Sequence, residues 1–105
     1  MEVNIEEYRA MNRLDKIAIT KHARIRLEER GIRMDDIVTA INHGEIIKEY
    51  ADDKPLPSCL ILGKSIDDKS LHLVISKDKE FIYLITAYFP DSNPWEDDFR
   101  TRKER

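Results

Sequence analysis

The hydrophobic period of the chain changes at Glu45, and this change limits the folds that are open to it. Before Glu45, apolar residues such as Met34, Ile37 and Ile41 recur at helical spacing. After Glu45 the period falls to about two residues, which is typical of strands, and short turns separate four such runs. Helices followed by consecutive strands indicate an α+β domain. We therefore expect N-terminal helices packed on one face of a four-stranded antiparallel meander sheet.

The same pattern sets the boundaries of the predicted helices. They are expected over residues 4–15, 21–30 and 34–43. Thr20 is a suitable N-cap for the second helix, and Gly31 is a suitable residue to end it. The third helix has Arg33 where a capping Ser, Thr or Asp is usual, so we expect its start to be frayed.

The predicted strands cover residues 45–50, 58–65, 70–76 and 81–89. The last of them is apolar on both faces, which predicts a central or covered position in the sheet. The chain of 105 residues is predicted to be one domain, with an N-terminal helix within 1–16 and a polar tail over 90–105. In that tail, Trp95 and Phe99 are expected to hold the chain against the domain.

Composition narrows the classes of function. The net charge is −3, which argues against general coating of nucleic acid but leaves room for a local basic patch. Cys59 is the one cysteine, and no apolar run approaches the roughly 18 residues that span a bilayer. We expect a cytoplasmic protein that needs no cofactor and no membrane.

The second predicted helix carries a basic stripe. His22, Arg26 and Arg30 are spaced four residues apart and so share one side of the helix, beside the apolar Ala23 and Leu27. An arginine fork suits phosphate or carboxylate, and histidine changes its charge near neutral pH. The segment from Lys21 to Arg33 has five basic residues against two acidic ones, and we expect it to be exposed.

Two structural interpretations of this stripe stay open. The arginines can pair with acidic residues such as Glu45 or Asp36 and simply join the helix to the sheet. His22 can be a buried, hydrogen-bonded residue that caps a strand or loop.

A second set of polar residues lies on the predicted strands. His72 shares a strand face with Val74, and Thr86 and Tyr88 share a face of the last strand. If that face looks toward the second helix, His22, His72 and Tyr88 converge. Two histidines and an arginine suit RNA cleavage, because one group removes the 2′-hydroxyl proton, another protonates the leaving oxygen and the cation stabilises the phosphate. No metal is expected, because the sequence has no cluster of metal ligands.

From Ile19 to Lys103 the chain resembles domain-of-unknown-function family 4258 (DUF4258). The motifs that carry the resemblance are His22-Ala23, Arg30-Gly31-Ile32, Pro55 and Pro57, Leu71-His72-Leu73 and Thr86-Ala87-Tyr88-Phe89-Pro90. Two residues depart from the family's pattern: Arg33 stands where a helix cap is expected, and Phe89 stands where a polar residue is common.

The resemblance implies a RelE-like (BECR-type) architecture and an RNA-cleaving toxin, neutralised by a small zinc-finger or helix-turn-helix antitoxin protein. In that hypothesis His22, His72 and Tyr88 are the catalytic candidates, and Lys21, Arg26 and Arg30 hold the RNA phosphates. The alternatives are a non-catalytic module that binds protein or nucleic acid, and a purely structural role for these residues.

Overall fold

The structure is a computed structural model, and it describes residues 4–90. Within these residues three helices precede four consecutive strands, and a short extra strand lies between the first two helices. The helices are α1 (Ile5–Ala10), α2 (Lys21–Arg30) and α3 (Met34–His43), and a 3-10 turn spans Leu14–Lys16. The strands are β1 (Ile17–Ile19), β2 (Glu45–Tyr50), β3 (Ser58–Lys64), β4 (Ser70–Lys77) and β5 (Ile82–Tyr88). The α+β class is therefore confirmed.

The predicted four-stranded antiparallel sheet is wrong in one respect, because β1 joins it as a parallel edge strand. The order of strands in this part of the chain is β1-β5-β4-β3-β2, and Ile17 and Ile19 pair with Ile82 and Leu84 of β5. Three residues are too few to show an alternating pattern, so the sequence presented only a brief apolar stretch. The sheet has five strands and is mixed, and β5 lies between β1 and β4, as its apolar faces predict.

Strands β2 to β5 form the predicted meander. All three of their pairings are antiparallel, and β3 and β4 stay in register from Ser58 opposite Ser76 to Lys64 opposite Ser70. The register of β4 and β5 shifts between Val74 and Ile75, which leaves Ile85 as an extra residue in β5. Ile85 is 48% exposed, on the opposite face of β5 from the buried Leu84.

The main core lies between the helices and one face of the sheet. Leu71, Leu73 and Ile75 of β4 are fully buried on that face, together with the inner side of α3. The helix approaches β3 closely at Gly63, where a Cβ would lie 2.5 Å from the carbonyl oxygen of Ala40 and 2.8 Å from its Cβ. Glycine at this point fixes how α3 sits on the sheet.

The first helix is shorter than predicted, because it ends at Ala10 rather than near residue 15. Polar side chains of α1 and of the residues after it contact α3. Arg9 donates from Nη2 to the carbonyl oxygen of Gly44 at 2.8 Å, and Asn12 donates from Nδ2 to that of Val38 at 2.8 Å. The bond from Arg9 satisfies a carbonyl just past the end of α3, and both bonds hold the N-terminal segment against this helix.

The expectation of a frayed start for α3 is wrong. Asp36 reaches back so that its Oδ2 accepts from the backbone N–H of Arg33 at 2.9 Å, which satisfies one of the N–H groups at the start of the helix. Its Oδ1 accepts from the backbone N–H of Ile66 at 2.9 Å. One buried carboxylate thus anchors both the helix start and the turn between β3 and β4.

The expected contacts of Trp95 and Phe99 lie outside the described residues 4–90, as does the end of the family-like segment at Lys103. None of the helices in the described range is long and apolar enough to cross a membrane.

Candidate nucleic-acid interface

Helix α2 is an almost entirely solvent-facing helix with well-defined ends. The hydroxyl oxygen of Thr20 accepts from the backbone N–H of Ala23 at 3.1 Å, which confirms the predicted N-cap. Gly31 ends the helix in the left-handed conformation with φ of 70°, as predicted. Ala23 and Leu27 are its buried residues. All of its charged side chains therefore face outward.

The predicted exposure of the basic segment is confirmed. Its cationic side chains and its histidine are all exposed: Lys21, His22, Arg24, Arg26, Arg30 and Arg33. The hypothesis of a buried, structural His22 is consequently wrong.

The predicted ion pairs of the stripe with Glu45 or Asp36 do not form. Among residues 4–90, ion pairs join Arg9 to Glu6, Arg13 to Asp15 and Lys77 to Glu7, and none involves α2. The Asp36 carboxylate is instead occupied by backbone N–H groups. Within this part of the chain the α2 cations keep their charge available for an external anion.

Arg30 ties one end of the stripe to β5. Its Nη1 donates to the carbonyl oxygen of Ala87 at 2.8 Å and to Oγ1 of Thr86 at 3.3 Å. Strand β1 pairs with β5 from Ile82 to Leu84, so no strand in the described residues pairs with this edge of β5 at Ala87. Arg30 satisfies the backbone there and fixes the position of α2 along the strand.

His72 and Tyr88 form a contact pair across β4 and β5. They are directly opposite in the register, and His72 Nδ1 lies 3.3 Å from the Tyr88 hydroxyl oxygen. The ring centroids are 5.3 Å apart with planes at 76°, an edge-to-face contact. His72 is fully buried, whereas Tyr88 is half-buried. This contact joins two of the three residues whose convergence was predicted, His72 and Tyr88, and does not include His22.

The two histidines occupy different environments. His22 is exposed on α2, which packs on the sheet through Ala23 and Leu27. Side chains alternate along a strand, so His72 lies on the face opposite Leu71 and Leu73, away from the main core. The described contacts bring Arg30 to Thr86 on that opposite face, but none joins His22 to His72. A site shared by both histidines stays a prediction.

Two buried side chains in the described part of the chain, Cys59 and Tyr8, have a raised pKa. Burial raises the pKa of the Cys59 thiol to about 11, so the thiol stays protonated at neutral pH. Burial likewise raises the pKa of Tyr8. Across the described range no group of three His, Cys, Asp or Glu side chains could hold a metal ion.

An open depression of about 350 Å³ lies where α3 ends and β2 begins. Its lining includes His43, Glu45 and Lys64 but no residue of α2. It is thus distinct from the basic stripe.

Lys69 and Phe89 were not predicted as site residues. Lys69 precedes β4 and Phe89 follows β5, and the Lys69 Nζ lies 5.8 Å from the Phe89 ring centroid. The residues are far apart in sequence, and only the pairing of β4 with β5 brings them together. The antiparallel meander predicted from the sequence could have suggested this meeting.

A family model described as a domain of unknown function (DUF4258) matches residues 19–89, which is more than half of the chain. No curated protein matches the chain, and no solved structure does.

Proposed function

Because the chain belongs to the DUF4258 family, whose name assigns no activity, we propose a function from the geometry: the protein binds RNA through the exposed basic residues of α2. The observation that carries this proposal is the exposure of the stripe without acidic partners among residues 4–90. Phosphate groups are the natural partners of such cations, and arginine forks bind them with two parallel hydrogen bonds.

The charge distribution supports a local interaction. The chain has 18 Lys and Arg residues against 21 Asp and Glu residues. The phosphates of an RNA are therefore attracted to α2 and repelled by acidic parts of the surface. Arg30 is exposed but bonded to β5, whereas His22 and Arg26 are exposed and make no hydrogen bond to another described side chain or strand. A cytoplasmic location, favoured by the single cysteine, would give such a protein access to RNA.

Cleavage of the bound RNA is the second candidate function. It is favoured by the contact of Arg30 with Thr86, which joins the stripe to β5 two residues before Tyr88, the contact partner of His72. In this candidate His22 exchanges the proton at the 2′-hydroxyl or the leaving oxygen, and Arg26 stabilises the phosphate. The full burial of His72 suits orientation of Tyr88 better than direct proton exchange with a substrate. A toxin of this kind would have a small antitoxin protein as its partner.

The binding proposal is tested by fluorescence anisotropy with a labelled single-stranded RNA over a range of salt concentrations. Each phosphate contact contributes about 0.7 to the slope of log affinity against log salt. Arg26→Ala should weaken binding and reduce that slope by about 0.7, uniformly across RNA sequences.

Arg13→Ala is the matched control, because it removes the same guanidinium group from an exposed position. Arg13 precedes β1 whereas α2 follows it, so the two lie toward opposite ends of that strand. An equal loss for both variants, or binding that ignores salt, would exclude α2 as the RNA-binding surface.

A further inference from the structure

Phe89 places an aromatic ring at the surface beside the Lys69 ammonium. It directly follows β5 and is 36% exposed, unlike the apolar residues of the main core. The Lys69 ammonium lies 5.8 Å from its ring centroid, within the range of a cation–π contact. Arg30 binds the carbonyl oxygen of Ala87, two residues before Phe89. The ring therefore has one cation in contact with it, Lys69, and lies two residues along the chain from the backbone group that Arg30 binds.

An exposed aromatic ring with a cation beside it matches the chemistry of a nucleotide. The π-face of a base stacks on an aromatic side chain, and the adjoining phosphate is attracted by lysine or arginine. An unpaired base can reach such a ring, whereas a base within a duplex is already stacked on its neighbours.

We propose that Phe89 is a stacking platform for one unpaired base of the RNA whose phosphates contact α2. This inference rests on the proposed function and adds to it a preference for single-stranded RNA. Lys69 contacts the phosphate next to the stacked base, and Arg30 fixes the end of α2 beside it.

The test measures binding of three labelled RNAs of the same length: a single strand, the same strand with abasic nucleotides, and the duplex. Loss of one stacked base weakens binding by roughly 5- to 100-fold. Phe89→Ala should show that loss on the single strand and almost none on the abasic strand. The salt slope should stay unchanged, because the ring contacts no phosphate.

Two further variants separate stacking from apolar contact. Phe89→Trp keeps an aromatic face and should retain the affinity for the single strand, whereas Phe89→Leu should behave like Phe89→Ala. Ile85→Ala is the matched control, since Ile85 is an exposed apolar residue of the same strand. Melting curves of each variant verify that the fold is intact.

The possible failures are distinguishable. If the wild-type protein binds RNA with a salt dependence that Arg26→Ala reduces, but Phe89→Ala binds like the wild type, the stacking inference is wrong and the proposed function stands. Retained affinity in Phe89→Leu, or an equal loss on abasic RNA, would also overturn stacking and indicate an apolar contact. If the wild type binds none of the three RNAs, both proposals fail.

Discussion

Replacing each histidine by alanine should separate catalytic from structural roles, because His22 and His72 differ in burial. His22 is exposed, so His22→Ala should change the free energy of unfolding by no more than about 0.5 kcal/mol. His72 is fully buried and its ring contacts Tyr88. Loss of that packing and of the hydrogen bond to the Tyr88 hydroxyl should cost about 2–4 kcal/mol. For a domain of this size the melting temperature should fall by about 10 °C or more.

The assay combines a melting curve with cleavage of a labelled RNA on a denaturing gel, both run for each variant. If the protein cleaves RNA, His22→Ala should melt like the wild type and cleave about 100- to 10,000-fold more slowly. His43→Ala is the matched control, because His43 is also exposed but lies at the end of α3, and neither measurement should change. A His72→Ala variant that melts like the wild type would contradict the structural role argued for His72. If that variant also lost cleavage, His72 would be a catalytic residue.

Further predictions concern the packing of α3 and the buried thiol. Gly63→Ala should destabilise the protein by about 3 kcal/mol, because the new Cβ would clash with the backbone of Ala40. Gly31→Ala should cost only about 1 kcal/mol, because alanine is strained in the left-handed conformation but has open space around its Cβ. Chemical denaturation of both variants measures the two costs, and equal costs would contradict this prediction. The raised pKa of Cys59 means that the folded state holds the thiol proton more tightly than the unfolded state does. Stability from this residue is therefore complete below about pH 9 and is lost as the pH rises to about 11. Cys59→Ala should flatten the fall in unfolding free energy over that range, and an unchanged pH dependence would show that the thiol does not contribute.

The strand order could be predicted only where the sequence carried a periodic signal. The apolar alternation after Glu45 predicted β2 to β5 with boundaries within one residue of those observed. Strand β1 was missed, because Ile17–Ile19 is too short for a pattern and its pairing with β5 joins residues far apart in sequence. Parallel pairing of this kind depends on tertiary packing, which local periodicity does not report.

The site shows the same division between local and long-range information. Helical spacing predicted that His22 and Arg26 share one side of α2 beside the apolar Ala23 and Leu27, and both side chains are exposed. The hydrogen bond from Arg30 to Ala87 was not predicted, because it depends on where β1 stops along β5. The complete burial of His72 was not predicted either, since its strand alternates and the sequence does not show what lies over each face.

The structure also explains how a protein with a net charge of −3 can present a positive helix. Several carboxylates in the described range are occupied by hydrogen-bond donors away from α2: Asp36 by two backbone N–H groups, Asp53 by the hydroxyl of Ser58, and Asp78 by the turn that leads into β5. The hydrogen bond from the Tyr83 hydroxyl lowers the pKa of Asp78, so this carboxylate stays ionised at neutral pH. These carboxylates lie at turns and helix ends, and among residues 4–90 no ion pair joins a carboxylate to α2. Within that part of the chain a phosphate can therefore contact arginine side chains of α2 without displacing a carboxylate from an ion pair, as the proposed RNA-binding surface requires.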